Sequence, residues 1–412
     1  MKNMISRHDF TILLGNVVDH FDTSIYVFLA PILAPLFFPS DQPIISLIMA
    51  YSVLATSVIT RPLGTYIFGM IAKNSSPARA LSYSLIGVGL TTLVAGILPD
   101  YYMVGAAAPA LLVMFRIFRD IFAAGEAGIA KIYILQDKQG KEAMRGSYLY
   151  ETSVMLGVAL ASSVSTFVYY IDIANSWRVV FILGGSAAIV GYLIRSTDQL
   201  PTANLPKKFL KSYSLDGIKI LCNNKLSTLR IAIINGMYQI TYVIPFVVMN
   251  NIAPMITDID LTTMMALNSF MMIFDIFAIP VIGEMVSRYN STKVMLVSSS
   301  MIALTIIPIW YFIEHSSIIY VTFIRFWIVI WGIVFICPLN LWCRDQVSGD
   351  EKYLVVGIGT SIGASIVGKL TPSICLWLYY ATGSYMSISF YTAAICALVV
   401  FALKIPQKDL EK

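Results

Sequence analysis

Residues 318–342 read IIYVTFIRFWIVIWGIVFICPLNLW, and Arg325 is the only charged side chain among them. An α-helix rises about 1.5 Å per residue, so this stretch is longer than the roughly 30 Å hydrocarbon core of a bilayer. A helix that is apolar on every side belongs in a membrane or in the core of a large protein. The stretch therefore predicts a transmembrane helix.

Stretches of this kind recur along the whole chain. Of the 412 residues, 58% are hydrophobic and 12% are charged, whereas soluble domains carry roughly 25% charged residues. We therefore predict an all-α membrane protein with twelve transmembrane helices and no water-soluble domain. The predicted spans are Phe10–Phe38, Ile44–Ala72, Ala80–Leu98, Tyr102–Ile129, Gly146–Tyr170, Val179–Leu193, Ile231–Met255, Met264–Val286, Val294–Phe312, Ile318–Trp342, Leu354–Tyr379 and Met386–Leu403.

The longest hydrophilic segment, residues 195–228, divides six predicted spans from six. Two such halves are typical of transporters built from repeated units. We predict an N-terminal six-helix half over residues 1–194 and a pseudo-symmetric C-terminal half over residues 229–412. A weak echo supports the repeat, because Gly69 and Gly283 each precede a short basic turn at matching positions.

The distribution of Lys and Arg predicts the orientation. Most of these 28 residues fall at the chain ends and in the loops on the same side as the ends, and such loops are usually cytoplasmic. We expect a bacterial inner-membrane protein with both termini and the central loop in the cytoplasm. The net charge of +5 is then a signal of topology, and no nucleic-acid partner is expected.

The sequence offers little support for an enzyme. The five cysteines form no C-x-x-C pair and the three histidines are scattered, so neither disulfides nor a metal site is expected. No G-x-x-x-x-G-K-[ST] motif occurs, so a gradient rather than ATP would drive transport. Residues 359–363 fit G-x-S-x-G but lie in an apolar helix, outside that motif's catalytic context. We expect no cofactor, and a monomer whose partners are a small molecule, protons and lipid.

Ionisable residues inside predicted spans are costly and mark functional candidates. In the first span, Asp19, Asp22 and Tyr26 share one helix face because they stand at i, i+3 and i+7. In the fourth span, Arg116 and Asp120 have the i, i+4 spacing of a structural ion pair. The fourth and tenth spans also contain Arg119, Glu126 and Arg325.

The seventh predicted span carries a polar stripe. Its members stand at i, i+3, i+4 and i+7, and they are Asn235, Tyr238, Gln239 and Tyr242. Such a stripe suits either a ligand site or hydrogen bonds between helices. Structural roles stay open for Arg61, and for Lys369 as a snorkelling lysine, while Asp275 has no evident partner.

Several short motifs also follow one another in a fixed order. They are GNVVDHFD at 15–22, RPLG at 61–64, Arg116 with Gly125-Glu126, Trp177-Arg178, and Ser361, Gly363, Gly368 and Pro372 of the eleventh span. In this order the chain resembles the metabolite:proton symporters of the major facilitator superfamily, which include proline/betaine, α-ketoglutarate, shikimate and citrate carriers. It departs from them at an inner turn, where Lys73 and Ser287 replace an acidic residue.

The resemblance implies a central cavity lined by the first, fourth, seventh and tenth helices. We expect Asp19, Asp22 and Glu126 to carry protons, since a carboxylate can be neutralised in a poorly hydrated site. Guanidinium groups match a carboxylate in geometry, so the expected substrate-binding residues are Arg116, Arg119 and Arg325 together with Asn235, Tyr238, Gln239 and Tyr242. The expected gating residues are Arg61, Gly69, Lys73, Gly283 and Arg288.

The predicted function is secondary active transport of a small polar metabolite, such as an osmolyte, an amino acid or a carboxylate, in symport with protons. The altered inner turn leaves open a non-transporting membrane sensor or an uncoupled exchanger on the same fold. A membrane enzyme is the least favoured class.

Overall fold

A computed structural model of the chain describes residues 7–171, 175–198, 213–314, 316–347 and 349–405. Within these ranges the regular structure is helical and twelve long helices follow one another. They are α1 (Arg7–Phe37), α2 (Pro43–Ala72), α3 (Pro77–Ala95), α4 (Ala107–Tyr133), α5 (Gly140–Ile171), α6 (Ser176–Asp198), α7 (Lys225–Ile256), α8 (Leu261–Val286), α9 (Ser291–Trp310), α10 (Ile318–Arg344), α11 (Lys352–Thr382) and α12 (Met386–Lys404).

Eleven of these described helices are long and apolar enough to cross a membrane. The remaining one, α4, is 27 residues long, but it carries Arg116, Arg119, Asp120 and Glu126. These four charged side chains are buried at 0–1% exposure, so they face protein rather than lipid. The predicted twelve-helix fold is confirmed.

The start predicted for the fourth span, Tyr102, is wrong. A separate short helix covers Tyr101–Val104, and the Asp100 side chain caps it by accepting a hydrogen bond from the backbone of Met103. The short helix ends at Gly105, which takes a φ of 60°. Glycine adopts this left-handed conformation readily because it has no side chain. The transmembrane helix α4 begins after this turn.

Four of the described spans contain irregular turns, and in α10 the helix is interrupted at Cys337 and Pro338. Helix α2 has a 3-10 segment at Val53–Thr56, and α7 has a wide π turn at Ile244–Val248. A second π turn, Ala364–Lys369, precedes Pro372 in α11. Proline cannot donate a backbone hydrogen bond and its ring crowds the carbonyl four residues earlier, which accounts for a distortion at this point. The central segment predicted as a loop contains the helix Tyr213–Asn223.

The helices pack as two groups of six. In the first group α1 packs on α5 and α6, and α4 packs on α2 and α3; in the second, α7 packs on α11 and α12, and α9 packs on α10 and α12. The groups meet where α5 crosses α8 and where α2 and α4 contact α11. Because the number of spans is even, α1 begins and α12 ends on one face of the molecule, which we call the terminal face.

Candidate functional site

A cavity of about 130 Å³ lies between the two halves, well above the ~10–15 Å³ that one water molecule needs. Side chains from α1, α2, α4, α5, α7, α8, α10 and α11 line it. Part of its wall is apolar and comes from α5 and α10, including Val154, Val158, Val329 and Ile333. The cavity is therefore shared by both halves and built from more helices than the four that the resemblance implied.

The polar stripe of α7 faces this cavity. Asn235, Tyr238, Gln239 and Tyr242 all line it. The Asn235 amide also donates to the carbonyl of Ile231 in its own helix, at 2.9 Å. These groups supply neutral hydrogen-bonding atoms to one wall of the cavity.

On α1 the structure separates the two carboxylates that the helix spacing placed together. Asp19 lines the cavity, and its Oδ1 has no hydrogen-bond partner in the described chain. His20 lines the cavity beside it, with Nδ1 3.0 Å from the carbonyl of Asn16. Asp22 instead faces α4, because Arg119 forms a salt bridge to it at 2.5 Å.

Four charged residues form a buried network between α1 and α4. Arg119 donates through Nε to Asp22 at 2.7 Å and contacts Asp120 at 3.4 Å. Arg116 lies 3.5 Å from the same Asp120 oxygen, which confirms the predicted i, i+4 pair, and its guanidinium stacks 4.7 Å from the ring of Tyr26. Two arginines thus balance two carboxylates away from water.

The arginines and two of the carboxylates predicted for the site lie outside the cavity wall. Arg116, Arg119, Asp22 and Glu126 are not among the described residues that line it. Arg325 on α10 is fully buried and donates to the amide oxygen of Asn268. The prediction that Arg116, Arg119 and Arg325 face the cavity is corrected: helical spacing shows which side chains share a face, but not the direction in which that face points.

Two other cations take that place. Arg61 of α2 and Lys369 of α11 line the cavity, and no carboxylate of the described chain forms a salt bridge with either. Lys369 belongs to the π turn of α11, so it does not snorkel to the membrane surface from a regular helix. Asp19 and Asp275 also line the cavity without a salt bridge to Lys or Arg among the described residues, so both basic and acidic groups line it.

Hydrogen bonds between the halves close the cavity toward the terminal face. Lys131 of α4 donates to Thr360 of α11 at 2.5 Å, and Asn340 of α10 donates to Glu151 of α5 at 2.6 Å. All four residues also line the cavity. Opening the molecule on this side must break both bonds.

Beyond these bonds, Arg344 at the end of α10 donates to the carbonyls of Leu135 and Lys138 in the turn after α4, at 3.1 and 2.8 Å. On the opposite side of the cavity, Asn251 of α7 donates to the Tyr51 hydroxyl of α2 at 3.0 Å. The halves are therefore joined on both sides of the cavity.

The two predicted gating glycines lie where the halves cross. A Cβ added at Gly69 of α2 would lie 3.3 Å from Leu354 of α11, and one added at Gly283 of α8 would lie 2.6 Å from Tyr148 of α5. Arg288 is exposed at the end of α8. The side chain of Lys73 lies outside the described part of the chain.

Residues 12–372 match the sequence model of the Major Facilitator Superfamily. The chain belongs to this superfamily. It is 23% identical to a putative proline/betaine transporter of Staphylococcus haemolyticus, over 93% of this chain and 83% of that protein. It is also 23% identical to the inner membrane metabolite transport protein YhjE of Escherichia coli, over 95% of this chain and 91% of that protein. The resemblance seen in the motifs is confirmed, and the chain is a divergent member.

Solved structures agree on the fold. A D-xylose-proton symporter superposes with a TM-score of 0.72 at 11% identity, covering 98% of each chain. The human organic anion transporter MFSD10 superposes with a TM-score of 0.67 at 12% identity, covering 96% of this chain and 98% of that one. The match to the superfamily model and to the two bacterial transporters, together with this shared fold, makes the chain a multi-pass secondary transporter of small metabolites rather than an enzyme.

Sequence reasoning did not assign Lys131, Tyr150, Glu151, Asn340 and Thr360 to the site. Lys131 follows the predicted end of the fourth span at Ile129, where a charged residue is attributed to a loop, whereas Glu151 lies inside the fifth predicted span, where its charge is a signal that went unused. Asn340 and Thr360 are uncharged and carry no signal by themselves. Only contact between the halves identifies them.

Proposed function

We propose that this transporter is a proton symporter for a small polar metabolite, such as an osmolyte, an amino acid or a carboxylate. The observation that carries the proposal is that the cavity is lined by groups of both charge signs, the cations Arg61 and Lys369 and the carboxylate Asp19, and that no Lys–carboxylate or Arg–carboxylate salt bridge of the described residues involves any of them. A substrate with only a negative or only a positive charge would leave some of these lining groups without an opposite charge. A small molecule that carries both charges would match more of them.

The recognition chemistry follows from the lining groups. The Arg61 guanidinium and the Lys369 ammonium suit a substrate carboxylate, since charge-assisted hydrogen bonds are the strongest available in such a site. The amides of Asn235 and Gln239 supply neutral hydrogen bonds. Names of the relatives point the same way: besides the proline/betaine transporter, a glycine betaine/proline/ectoine/pipecolic acid transporter of Dickeya dadantii is 27% identical over half of this chain and 42% of its own length.

The roles predicted for the other charged residues are refined by their positions. We assign Arg116, Arg119 and Asp22 to the internal support of α1 against α4, because their charges satisfy each other. Of the three carboxylates predicted to carry protons, Asp19 alone lines the cavity. Glu126 is buried on α4 outside the described cavity wall.

Transport then requires the two halves to rock about the cavity. In our proposal the terminal face is cytoplasmic, in a bacterial inner membrane, and the protein works as a monomer. Closure on that side uses the Lys131–Thr360 and Asn340–Glu151 hydrogen bonds, and the glycine crossings at Gly69 and Gly283 allow the helices to approach. Arg61, lining the cavity from α2, binds substrate rather than acting only in gating.

The test is uptake into proteoliposomes. Purified protein is reconstituted, and accumulation of radiolabelled L-proline, glycine betaine and a dicarboxylate is measured with and without an imposed inward proton gradient. At least one compound should accumulate above the protein-free control, and the gradient should increase its accumulation. Uptake that ignores the gradient would refute symport and favour an exchanger.

A non-transporting sensor is a second candidate, because Lys73 and Ser287 occupy the positions where related transporters carry an acidic residue. Ser287 donates only to the backbone of Glu284, so it does not replace an ionic contact. The same liposomes separate the two: a sensor binds a ligand, detectable as a rise in Tm, but shows no flux of that ligand.

A further inference from the structure

Asp275 is a buried carboxyl group of the cavity for which the mechanism above gives no role. It lies near the midpoint of α8, lines the cavity from the C-terminal half, and is 2% exposed. Its Oδ1 has no hydrogen-bond partner within the described chain. The neighbours one turn away on α8, Met271, Met272 and Ile279, are apolar and fully buried.

The other buried carboxylates near the cavity have compensation. Asp22 is held by Arg119 at 2.5 Å, and Asp19 interacts electrostatically with Arg119 and Arg61. Asp275 forms no salt bridge with any charged group among the described residues. It is therefore a carboxyl group placed in a membrane interior without a cation.

The helices packed against α8 explain this isolation. α10 carries Arg325, whose Nη2 donates to Asn268, two turns from Asp275 along α8, while its Nε and Nη1 have no hydrogen-bond partner in the described chain and form no salt bridge with Asp275. α5 contributes no cation here, and its Glu151 is hydrogen bonded to Asn340. The other ionisable groups that line the cavity on these and the facing helices are Asp19, His20, Arg61, Lys131, Tyr150, Tyr238, Tyr242 and Lys369; no salt bridge joins Asp275 to any of them.

We propose that Asp275 is the residue that binds the transported proton. A carboxylate without a cation is costly to keep charged inside a membrane protein, so Asp275 takes up a proton to form a neutral carboxylic acid when the cavity is closed. Opening the cavity to a more basic aqueous phase hydrates the group, and the proton leaves to water. This step rests on the proposed function, since it supplies the site that proton symport requires.

The location gives the proton a mechanical role. An ionised Asp275 would hold water in the cavity and oppose the close packing of the halves that this structure shows. Protonation removes that obstacle, so loading of the proton favours closure around the substrate. Arg61 and Lys369 line the cavity from α2 and α11, so substrate carboxylate and proton would occupy separate positions.

The experiment compares the wild type, Asp275→Asn and the control Glu284→Gln in proteoliposomes. Glu284 is an exposed carboxylate on the same helix and outside the cavity wall. The variant Asp275→Asn keeps the size of the side chain and mimics the protonated state. Two fluxes are measured with radiolabelled L-proline or glycine betaine, whichever the wild type accumulates. The first is uptake driven by a proton gradient. The second is counterflow, in which the labelled compound exchanges with the same unlabelled compound across the membrane.

We expect Asp275→Asn to lose gradient-driven accumulation at least tenfold while counterflow stays within about twofold of the wild type, and Glu284→Gln to retain both. Full gradient response in Asp275→Asn would overturn the assignment. Equal loss of both fluxes would also overturn it, because Asp275 would then bind substrate. A wild type that transports but ignores the gradient would instead refute the proposed symport itself.

An optical measurement keeps the proposal testable if Asp275→Asn transports nothing. Infrared difference spectra of the reconstituted protein across a pH titration report the C=O band of a protonated carboxyl group. The wild type and Glu284→Gln should share one such band that Asp275→Asn lacks. An unchanged band in Asp275→Asn would refute proton binding at this residue.

Discussion

Removal of Arg119 should test whether the buried network between α1 and α4 supports the fold. In Arg119→Met, the two carboxylates Asp22 and Asp120 are left with Arg116 as the single cation of the network. Truncating one partner of a buried ion pair typically costs about 3–5 kcal/mol. For a folding unit the size of the N-terminal half, each kcal/mol lowers Tm by about 2–4 °C. We therefore expect the Tm of the purified protein to fall by roughly 10 °C.

The double variant Arg119→Met/Asp22→Asn restores one cation to one carboxylate in the network. Replacing both members of a buried pair is often nearly neutral, so this variant should recover most of the lost Tm. Arg288→Met removes an exposed arginine and should change stability by less than about 0.5 kcal/mol. The assay is thermal unfolding in detergent, followed by tryptophan fluorescence at fixed protein concentration.

Two results would contradict this reasoning. Equal Tm values for the single and double variants would show that the charge pair does not account for the loss. A double variant that is as stable as the wild type but binds substrate more than tenfold more weakly would show that Arg119 contacts the substrate, as the sequence first suggested. Unchanged affinity supports the structural assignment.

Three further predictions concern the cavity and its closure. Lys369→Ala should weaken substrate affinity by roughly 10–100-fold in a binding assay, which corresponds to the loss of one charge-assisted hydrogen bond, while Tm stays unchanged; an unaltered affinity would exclude this residue from the site. Gly283→Leu should force α8 away from Tyr148 and open the terminal face. Cys337 of α10 is buried against the carbonyl of Ile279 on α8, so in a variant that keeps Cys337 as its single cysteine, a thiol reagent should label the Gly283→Leu form faster than the form that retains Gly283. Reporter fusions at the C-terminus and within residues 195–228 should both score as cytoplasmic, and a periplasmic signal at either would reverse the proposed orientation.

Much of the architecture could be predicted from the sequence, because the requirement for a transmembrane helix is local. About twenty apolar residues cross a membrane whatever their neighbours are, so the number of spans and their grouping in two sets of six follow from hydropathy. The same reasoning predicted α4 despite its charges, because the apolar residues on either side of those charges make the whole segment long enough to cross a membrane. The pairing of Arg116 with Asp120 was also predictable, because the i, i+4 spacing belongs to one helix.

The sequence by itself also predicted most of the polar residues that lie within the long helices, and it identified the superfamily. Only the tertiary structure decided which of them face the cavity. Periodicity gives the angle between two side chains on a helix, but the rotation of that helix within the bundle depends on all its neighbours. Thus Arg116 and Arg119 turn toward α1, while Lys369, carried on a π turn, reaches the cavity. The bonds between Lys131 and Thr360, and between Asn340 and Glu151, join residues that are 229 and 189 positions apart, and contacts of that range form only when the two halves pack together.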